Sequence, residues 1–497
     1  MENIETFFLD KKYKHILMII EQVSKEPSKS ITLRTLESRL AITQKTILTY
    51  LDELLQYCKQ NNLETFTLQK SNLEMSSDTT FNIFDLYHYF MENSVKFQII
   101  MTVFKNQQID FTTLHHDLAL SKSSASKYIK QINSFLKQYH CKINFLKKNS
   151  LQGEEHQIRF LYYNLLWGLD LDKIIEDSLK LQQVMALFSK TAPQIPYINL
   201  SKIKLSFYIF QVASKSGRFI ASKKDFILPD SPYISYKDFF DKINALDFLS
   251  YCPDLQTKQK EGRYLYFLFC RASILTINEC RQYDNQISLS NSPSVQYFIS
   301  EFQEKSGLIL KPSEIKFLSY NISLLNCEAA AFRGRAKNFD LDKLVTQYNK
   351  NGGLVPKLIK KFINHICLEN SKIKKLIDNF PALEQYYTML IRTIESEYHQ
   401  PINILVQSSI STLHREALIN QIRNSISFPI TIYTSEQLHV EKPDGIISNW
   451  LPEKKYQDVP FFSISLFYTE WHKGELEIFL KKLKALKKDT RLQDVSF

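Results

Sequence analysis

The same order of apolar and polar positions occurs twice near the N-terminus, and the second occurrence lies 78 residues after the first. In the first copy an apolar stripe ends at Leu40, and the turn after it holds Ile42 and Thr43, a residue type that caps helices. The matched pairs are Leu40 with Leu118, Ile42 with Leu120, Thr43 with Ser121, Ile47 with Ala125, Tyr50 with Tyr128, Leu51 with Ile129 and Leu54 with Ile132. We predict one unit used twice: a short helix, a tight turn and a longer helix, which is the helix-turn-helix pattern.

Each longer helix is followed by two short alternating segments around a polar turn, a pattern that predicts a β-hairpin, or wing. In the first copy residues 66–69 and 73–75 flank a turn at Lys70. In the second copy residues 143–146 precede a turn at Lys147 and Lys148, and the second strand follows at Leu151. Lysines at such a tip can reach phosphates beside the groove that the helix enters. The sequence therefore predicts two winged helix-turn-helix units.

The remainder of the chain changes pattern twice. Residues 83–106 predict one long helix that joins the two winged units, and two amphipathic helical blocks follow, from about 170 to 285 and from about 293 to 395. The last hundred residues alternate short apolar runs with helical segments, which predicts a small α/β sheet. The expected fold class is mainly α, and the expected domains are 1–80 and 81–156 (winged units), 157–288 and 289–397 (helical domains) and 398–497 (α/β).

Charge favours a polyanionic partner, since the net charge is +11 and the pI is near 9.0. Between Leu118 and Gly153 there are seven lysines and no Asp or Glu, whereas the first copy carries Asp52, Glu53 and Glu64. The second winged unit is therefore the stronger electrostatic candidate for binding nucleic acid.

The first turns of the second helix reach base edges and phosphates in the major groove, so we predict that both copies contact double-stranded DNA. The candidates of the first copy are Gln44, Lys45, Thr46, Thr49, Tyr50 and Lys70. The candidates of the second copy are Lys122, Ser123, Ser124, Ser126, Lys127, Lys130, Lys147 and Lys148. Ala125, Ile129 and Ile132 are expected to face the core instead.

Cysteine usage and targeting signals favour a cytoplasmic protein. The seven cysteines are scattered, with no CxxC pair and no zinc-like spacing to histidine, so we expect them to be reduced and buried. The N-terminal residues lack the basic and apolar regions of a signal peptide, and the longest apolar run, residues 264–277, is too short to cross a bilayer. No membrane association is expected.

Motifs for catalysis or cofactor binding are missing from the sequence, which contains no phosphate-binding loop, no dinucleotide fingerprint and no HExxH zinc motif. We therefore expect no cofactor, no metal and no enzymatic activity. Arg333-Gly334-Arg335 could bind an anionic ligand, although a loop after the preceding Ala-rich helix explains these residues equally well.

The chain resembles the Mga/AtxA class of stand-alone virulence regulators of Gram-positive bacteria, and within it the RofA-like regulators. The resemblance runs along essentially the whole chain and is most specific in Ser121-KSSASKYIKQINSFL, in Gly153-EEHQIRFLYYNLLW and in the tail motif Lys442-PDGIIS. It implies that the two helical domains are phosphotransferase-regulation domains (PRD-like). It also implies that the tail resembles the IIB component of sugar phosphotransferase systems and serves for self-association as a homodimer.

Two features depart from what the resemblance implies. Such regulation domains respond to phosphorylation of histidine, but no histidine lies between His156 and His365, so His365 is the candidate phosphorylation site. A working IIB enzyme has a cysteine after its first strand, whereas this chain has Gln407-Ser408-Ser409 and therefore lacks the thiolate nucleophile. We expect the tail to be a catalytically inactive assembly domain.

The resulting hypothesis is a cytoplasmic, homodimeric, sequence-specific DNA-binding transcriptional regulator of virulence or surface genes. Phosphotransferase proteins are possible partners because of His365. One alternative is an RNA-binding antiterminator with the same type of regulation domains, which the paired winged motifs disfavour. The other is a phosphotransferase component, which the missing cysteine disfavours.

Overall fold

A computed structural model describes the chain as mainly helical, with three small sheets among the described residues. The described residues are 4–76, 81–106, 108–146, 150–176, 178–191, 195, 197–221, 226, 231–272, 274–283, 286–287, 289–334, 354–398, 402–407, 415–416, 419–420, 422–423, 430–434, 443–449, 456, 458–464 and 470–486. They belong to two compact units, one of residues 1–296, 315–352 and 367–386, the other of residues 297–314, 353–366 and 387–497. The division into five domains stays a prediction.

Residues 4–75 form a winged helix. Its elements are α1 (Ile4–Phe7), α2 (Lys11–Lys25), β1 (Ser30–Thr32), α3 (Leu33–Leu40), α4 (Gln44–Gln60), β2 (Phe66–Gln69) and β3 (Asn72–Met75). The strands form an antiparallel sheet in the order β1-β3-β2, so the strand before α3 pairs with the far strand of the wing. Leu36, Ile47, Leu51 and Leu73 are buried between the helices and the sheet, as their apolar spacing predicts.

The connection between the winged units differs from the prediction, because residues 83–106 form two helices and not one. They are α5 (Ile83–Glu92) and α6 (Val95–Lys105), and the chain leaves the helical conformation at Ser94. The buried Ser94 hydroxyl donates to the Phe90 carbonyl at 2.7 Å and accepts from the Asp10 amide at 3.0 Å. A serine that bonds to nearby backbone competes with continuation of the helix, which accounts for the break.

The second winged helix repeats the first with a smaller sheet. Its elements are α7 (Phe111–Leu118), α8 (Lys122–Leu136), β4 (Lys142–Ile143) and β5 (Leu151–Gln152), with a 3₁₀ turn over Lys137–Tyr139 after α8. The predicted strand over 143–146 is too long, since Asn144 Oδ1 accepts from the Leu146 amide at 3.0 Å and turns the chain. The two strands pair antiparallel through only two residue pairs.

The helical middle begins with α9 (Glu155–Leu166), which is buried along nearly its whole length. The helices that follow are α10 (Leu171–Ile174), α11 (Leu179–Thr191), α12 (Tyr197–Lys215), α13 (Tyr236–Ala245), α14 (Leu255–Arg271), α15 (Ile277–Gln282), α16 (Pro293–Ser306), α17 (Pro312–Ala331), α18 (Leu354–Glu369), α19 (Ser371–Asn379) and α20 (Ala382–Tyr398). Within the described residues, the amphipathic spacing at 170–285 and 293–395 is thus confirmed as helical. None of the helices in the described part of the chain is long and apolar enough to cross a membrane.

The tail contains the predicted small α/β sheet. Strands β6 (Ile402–Gln407), β7 (Ile430–Tyr433), β8 (Gly445–Ser448) and β9 (Phe461–Ser463) are all parallel, in the order β7-β6-β8-β9, and α21 spans Glu470–Leu486. Leu476, Leu480 and Leu483 of α21 pack on Ile404 and Val406 of the central strand. The sequence also predicts a helix over 411–425, which lies mostly outside the described residues; those described, 415–416, 419–420 and 422–423, are helical.

A buried ion pair joins α9 to α14. Arg159 is 2% exposed, and its Nη1 and Nη2 donate to Glu261 Oε2 and Oε1 at 2.6 and 3.0 Å. Its Nε donates to Glu155 at 2.9 Å, and Nη2 also reaches the Arg218 carbonyl at 3.1 Å. Burial by itself lowers the pKa of Arg159, but the charges of Glu261 and Glu155 outweigh it and the pKa is raised. The Arg159 guanidinium therefore keeps its charge in this buried position.

Removing one partner of this pair should destabilise the protein strongly, because the other charge stays buried. We expect Glu261→Gln to lower the free energy of unfolding by about 3–5 kcal/mol, measured by urea denaturation followed by circular dichroism. The matched control is Glu21→Gln, which breaks an exposed pair with Lys25 on α2 and should cost about 0.3–0.5 kcal/mol. Similar losses for the two variants would show that the buried pair contributes no more to the free energy of unfolding than an exposed pair does.

Candidate DNA-binding interface

The turn between the two helices has the same geometry in both copies. Ala41 and Ala119 follow α3 and α7 in the left-handed conformation, with φ of 55° and 52°. Thr43 then accepts from the Thr46 amide at 3.3 Å, and Ser121 accepts from the Ser124 amide at 3.2 Å, so each caps its long helix as predicted. The left-handed alanines were not predicted. Their recurrence at the same position of the repeat was the available signal, since alanine adopts this conformation only at a cost.

The core-facing side of each long helix agrees with the repeat. Ile47, Leu51 and Leu54 are buried on α4, and Ala125 and Ile132 are buried on α8. Ile129 is an exception, because it is half-buried and does not lie fully in the core as predicted. The opposite side of each helix is consequently the surface available to a ligand.

On α8 this surface carries three lysines. Lys122, Lys127 and Lys130 are exposed together with Ser123 and Ser126. Within the described part of the chain, no carboxylate lies within ion-pair distance of these lysines. Their charges are therefore available to a polyanion.

Ser124 differs from its predicted neighbours on α8. It is half-buried, and the Ser121 hydroxyl lies 3.0 Å from its Oγ. Its hydroxyl thus contributes to the helix cap, which leaves Ser123 and Ser126 as the exposed hydroxyls of the first turns.

On α4 the exposed surface carries less charge. Gln44, Lys45 and Thr49 are exposed, but Gln44 donates to Glu37 at 2.7 Å and the Thr49 hydroxyl donates to the Lys45 carbonyl at 3.1 Å. Glu53 on the same helix forms an ion pair with Lys12 at 2.8 Å. The first copy is therefore the weaker electrostatic surface.

Two other candidates of the first copy are partly occupied by the fold. Thr46 is half-buried, and its hydroxyl lies 3.0 Å from that of Thr43 in the cap. The ring of Tyr50 is half-buried and stacks on His15, with centroids 5.5 Å apart. Both side chains hold α4 in place and retain only part of their surface for a ligand.

The wings are described to different extents. Lys70 is exposed at the tip of the first wing, with a φ of 55° in the turn between β2 and β3. Lys147 and Lys148, the predicted tip of the second wing, lie outside the described residues. The repeat thus places one basic wing tip beside the first long helix.

The second wing is fixed to its unit by two side chains. Asn133 on α8 donates to the Ile143 carbonyl at 2.9 Å and accepts from the Ile143 amide at 2.6 Å. The buried Ser150 hydroxyl accepts from the Ile109 amide at 2.8 Å and donates to the Ile109 carbonyl at 3.1 Å. In the first copy β1 pairs with β3 through the backbone at this place. One hydroxyl therefore substitutes for a strand pairing.

Comparison with known families finds a match for the second winged unit. Residues 79–166 match the family model of the Mga helix-turn-helix domain, a span that runs from just before α5 to the end of α9. No curated protein matches the chain. The match supports an Mga-type regulator and a DNA-binding role for this unit. The resemblance beyond residue 166, and to RofA-like regulators in particular, stays a prediction.

The exposed lysines of α8 give a direct test. Lys122→Ala with Lys127→Ala should weaken binding to duplex DNA strongly, because two phosphate contacts are lost. The slope of log K against log salt should become shallower by about 0.9 per lost contact, measured by fluorescence anisotropy at several salt concentrations. Lys45→Ala on α4 is the comparison. Loss of affinity from Lys45→Ala, with none from the pair on α8, would assign binding to the first unit.

Proposed function

We propose that the protein is a sequence-specific DNA-binding transcriptional regulator whose second winged unit makes the dominant contact. The observation that carries the proposal is the coincidence of the Mga helix-turn-helix match with a long helix that exposes Lys122, Lys127 and Lys130. In this proposal the lysines contact phosphates and Ser123 and Ser126 reach base edges. The first unit adds contacts through Lys45 and Lys70.

The target genes in this proposal are virulence or surface genes of a Gram-positive bacterium, as the resemblance to RofA-like regulators implies. The protein acts in the cytoplasm and has no enzymatic activity or cofactor. Its seven cysteines are all free and none is exposed, which supports a reducing compartment. Genome-wide occupancy mapping would identify the operator sequence and the regulated genes.

Self-association is assigned to the tail. The core of the α/β sheet is drawn entirely from residues between Ile402 and Leu483, so the tail has a hydrophobic core of its own. The position after β6 that holds the nucleophile in a IIB enzyme carries Ser408 and Ser409, which lie outside the described residues. A IIB-like domain without its thiol is best explained as an assembly domain that gives a homodimer.

Deleting residues 399–497 should therefore yield a folded monomer, with the mass measured by light scattering and folding checked by circular dichroism. Operator affinity should fall by about 10²–10⁴, because the two half-sites are no longer held by one linked molecule. A dimeric mass after the deletion would show that the tail is not responsible for dimerisation.

His365 is the candidate through which phosphotransferase proteins would act. It lies on α18, 35% exposed, with Nε2 3.2 Å from Glu301 Oε2 on α16. A neutral imidazole that donates from Nε2 to this carboxylate keeps its lone pair on Nδ1. We propose Nδ1 as the phosphoryl acceptor, with Glu301 as the residue that positions the ring.

This assignment predicts that the phosphotransferase phosphodonor labels the His365 peptide, detected by mass spectrometry. His365→Ala should abolish the label and uncouple promoter output from sugar supply, whereas His365→Asp should shift output or the dimer equilibrium by adding charge. Glu301→Gln should slow labelling without removing the site. An unlabelled His365 peptide in the wild-type protein would mean that His365 is only a packed side chain.

Two alternatives are distinguished by simple assays. An RNA-binding antiterminator would retain labelled RNA in preference to labelled duplex DNA in a mobility-shift experiment. A phosphotransferase component would pass a phosphoryl group onward to a sugar carrier. We expect the duplex to be bound and no transfer to occur.

A further inference from the structure

A cavity of about 390 Å³ opens among α16, α17 and α19. Its volume falls within the usual range of small-molecule sites, roughly 300–1,000 Å³. Among the residues that the structure describes, neither the DNA-binding candidates nor His365 lines it.

The charge of the lining is positive. Arg333, Lys372 and Lys375 line the cavity, and none of the lining residues that the structure describes is a carboxylate. Arg333 follows α17, and the two lysines lie one turn apart on α19. Two exposed lysines, beside a guanidinium whose Nη1 donates to carbonyls at the C-terminal end of α17, favour a phosphate or another compact anion in this concave site.

The uncharged lining supplies hydroxyl and amide groups. Ser292 and Ser294 lie at the start of α16 with their hydroxyls 3.0 Å apart, and Asn326 of α17 is 8% exposed. Val295 and Leu376 provide apolar surface between these groups. Such a mixture suits a polyhydroxylated carbon skeleton, whose hydroxyls need partners and whose C–H faces need apolar contact.

We propose that this cavity binds a phosphorylated sugar of about hexose size. Lys372 and Lys375 take the phosphate, Arg333 forms the wall beside it, and the serine and asparagine side chains take the sugar hydroxyls. The volume accommodates a hexose phosphate but not a dinucleotide, which sets the upper limit on the ligand.

Arg333, which lines the cavity, also forms hydrogen bonds with α9. The Arg333 amide donates to Gln157 Oε1 at 2.9 Å, and Gln157 Nε2 donates to the Arg333 carbonyl at 2.7 Å. Gln157 lies on α9, within the span that matches the Mga domain. The neighbouring Phe332 stacks on Phe160 with centroids 4.3 Å apart. A ligand that moves Arg333 would therefore act on α9 directly.

Gly334 extends this attachment to the end of the second long helix. Its φ is +91°, and an added Cβ would lie 2.8 Å from Cδ1 of Tyr139 in the 3₁₀ turn after α8. The segment 332–334 is thus packed between the cavity and the second winged unit. This regulatory part of the proposal rests on the proposed function, whereas ligand binding itself does not.

Isothermal titration calorimetry of the full chain with glucose 6-phosphate tests binding without DNA. We expect saturable binding, at least tenfold weaker binding of inorganic phosphate, and no binding of glucose. Lys372→Ala with Lys375→Ala should weaken glucose 6-phosphate at least tenfold. Lys374→Ala is the matched control, because this exposed lysine lies on the same helix without lining the cavity, and it should leave affinity unchanged.

Protection of a cysteine thiol from maleimide labelling tests whether the ligand binds in the cavity. Cys327 lines it, whereas Cys367 does not, and both are half-buried. Glucose 6-phosphate should slow maleimide labelling of the Cys327 peptide and leave the Cys367 peptide unchanged. Absence of saturable binding, equal affinity for inorganic phosphate, or an equal effect of Lys374→Ala would overturn the proposal. Binding that leaves operator affinity unchanged would overturn only its regulatory part.

Discussion

The structure of the larger compact unit depends on the ion pair between Arg159 and Glu261. Both side chains are almost completely removed from water, and a charge in that position is tolerated only when its partner and its hydrogen bonds are all present. Glu261 Oε1 also accepts from the Ile220 amide at 2.9 Å, so the carboxylate fixes a loop as well as a helix. Because the pair requires one geometry, it determines how α9 lies against α14.

A second pair reinforces the same helix arrangement. Arg271 at the end of α14 donates to Glu328 of α17 at 2.7 Å, and its guanidinium lies 4.7 Å from the ring centroid of Tyr163 on α9. The helix that ends the Mga-matching span is therefore held by two charged groups of α14, one of which is itself paired with α17. Any rearrangement of those helices must be transmitted to α9 or must break a buried ion pair.

Much of the fold was predictable because the repeat fixes several properties at once. The spacing of Ile47, Leu51 and Leu54 sets the buried face of α4, and Thr43 sets its start, so pattern and capping agree. The break at Ser94 was not predictable from apolar spacing, since it depends on a hydrogen bond to Asp10, which is distant in sequence. Ile129 and Tyr50 illustrate the same limit, because exposure depends on neighbours that spacing does not identify.

The candidate site was likewise predictable from the sequence only in part. The exposed lysines of α8 follow from sequence, because charge on the polar side of an amphipathic helix stays in water. The role of Ser124 in the cap does not follow, since residue type alone cannot separate a capping hydroxyl from a free one. The cavity beside Arg333 combines residues that are up to 87 positions apart, from Ser292 to Asn379, and only tertiary packing brings them together.

Because the Ser150 hydroxyl replaces a strand pairing in the second copy only, the two copies should tolerate insertions and deletions differently. In the first copy three residue pairs join β1 to β3, and a one-residue insertion there would turn every side chain of the strand to the opposite face. In the second copy a single serine holds Ile109, so residues on either side of this attachment can be gained or lost without a change of register. Among relatives, we expect length variation to concentrate before α7 and to be rare before α3.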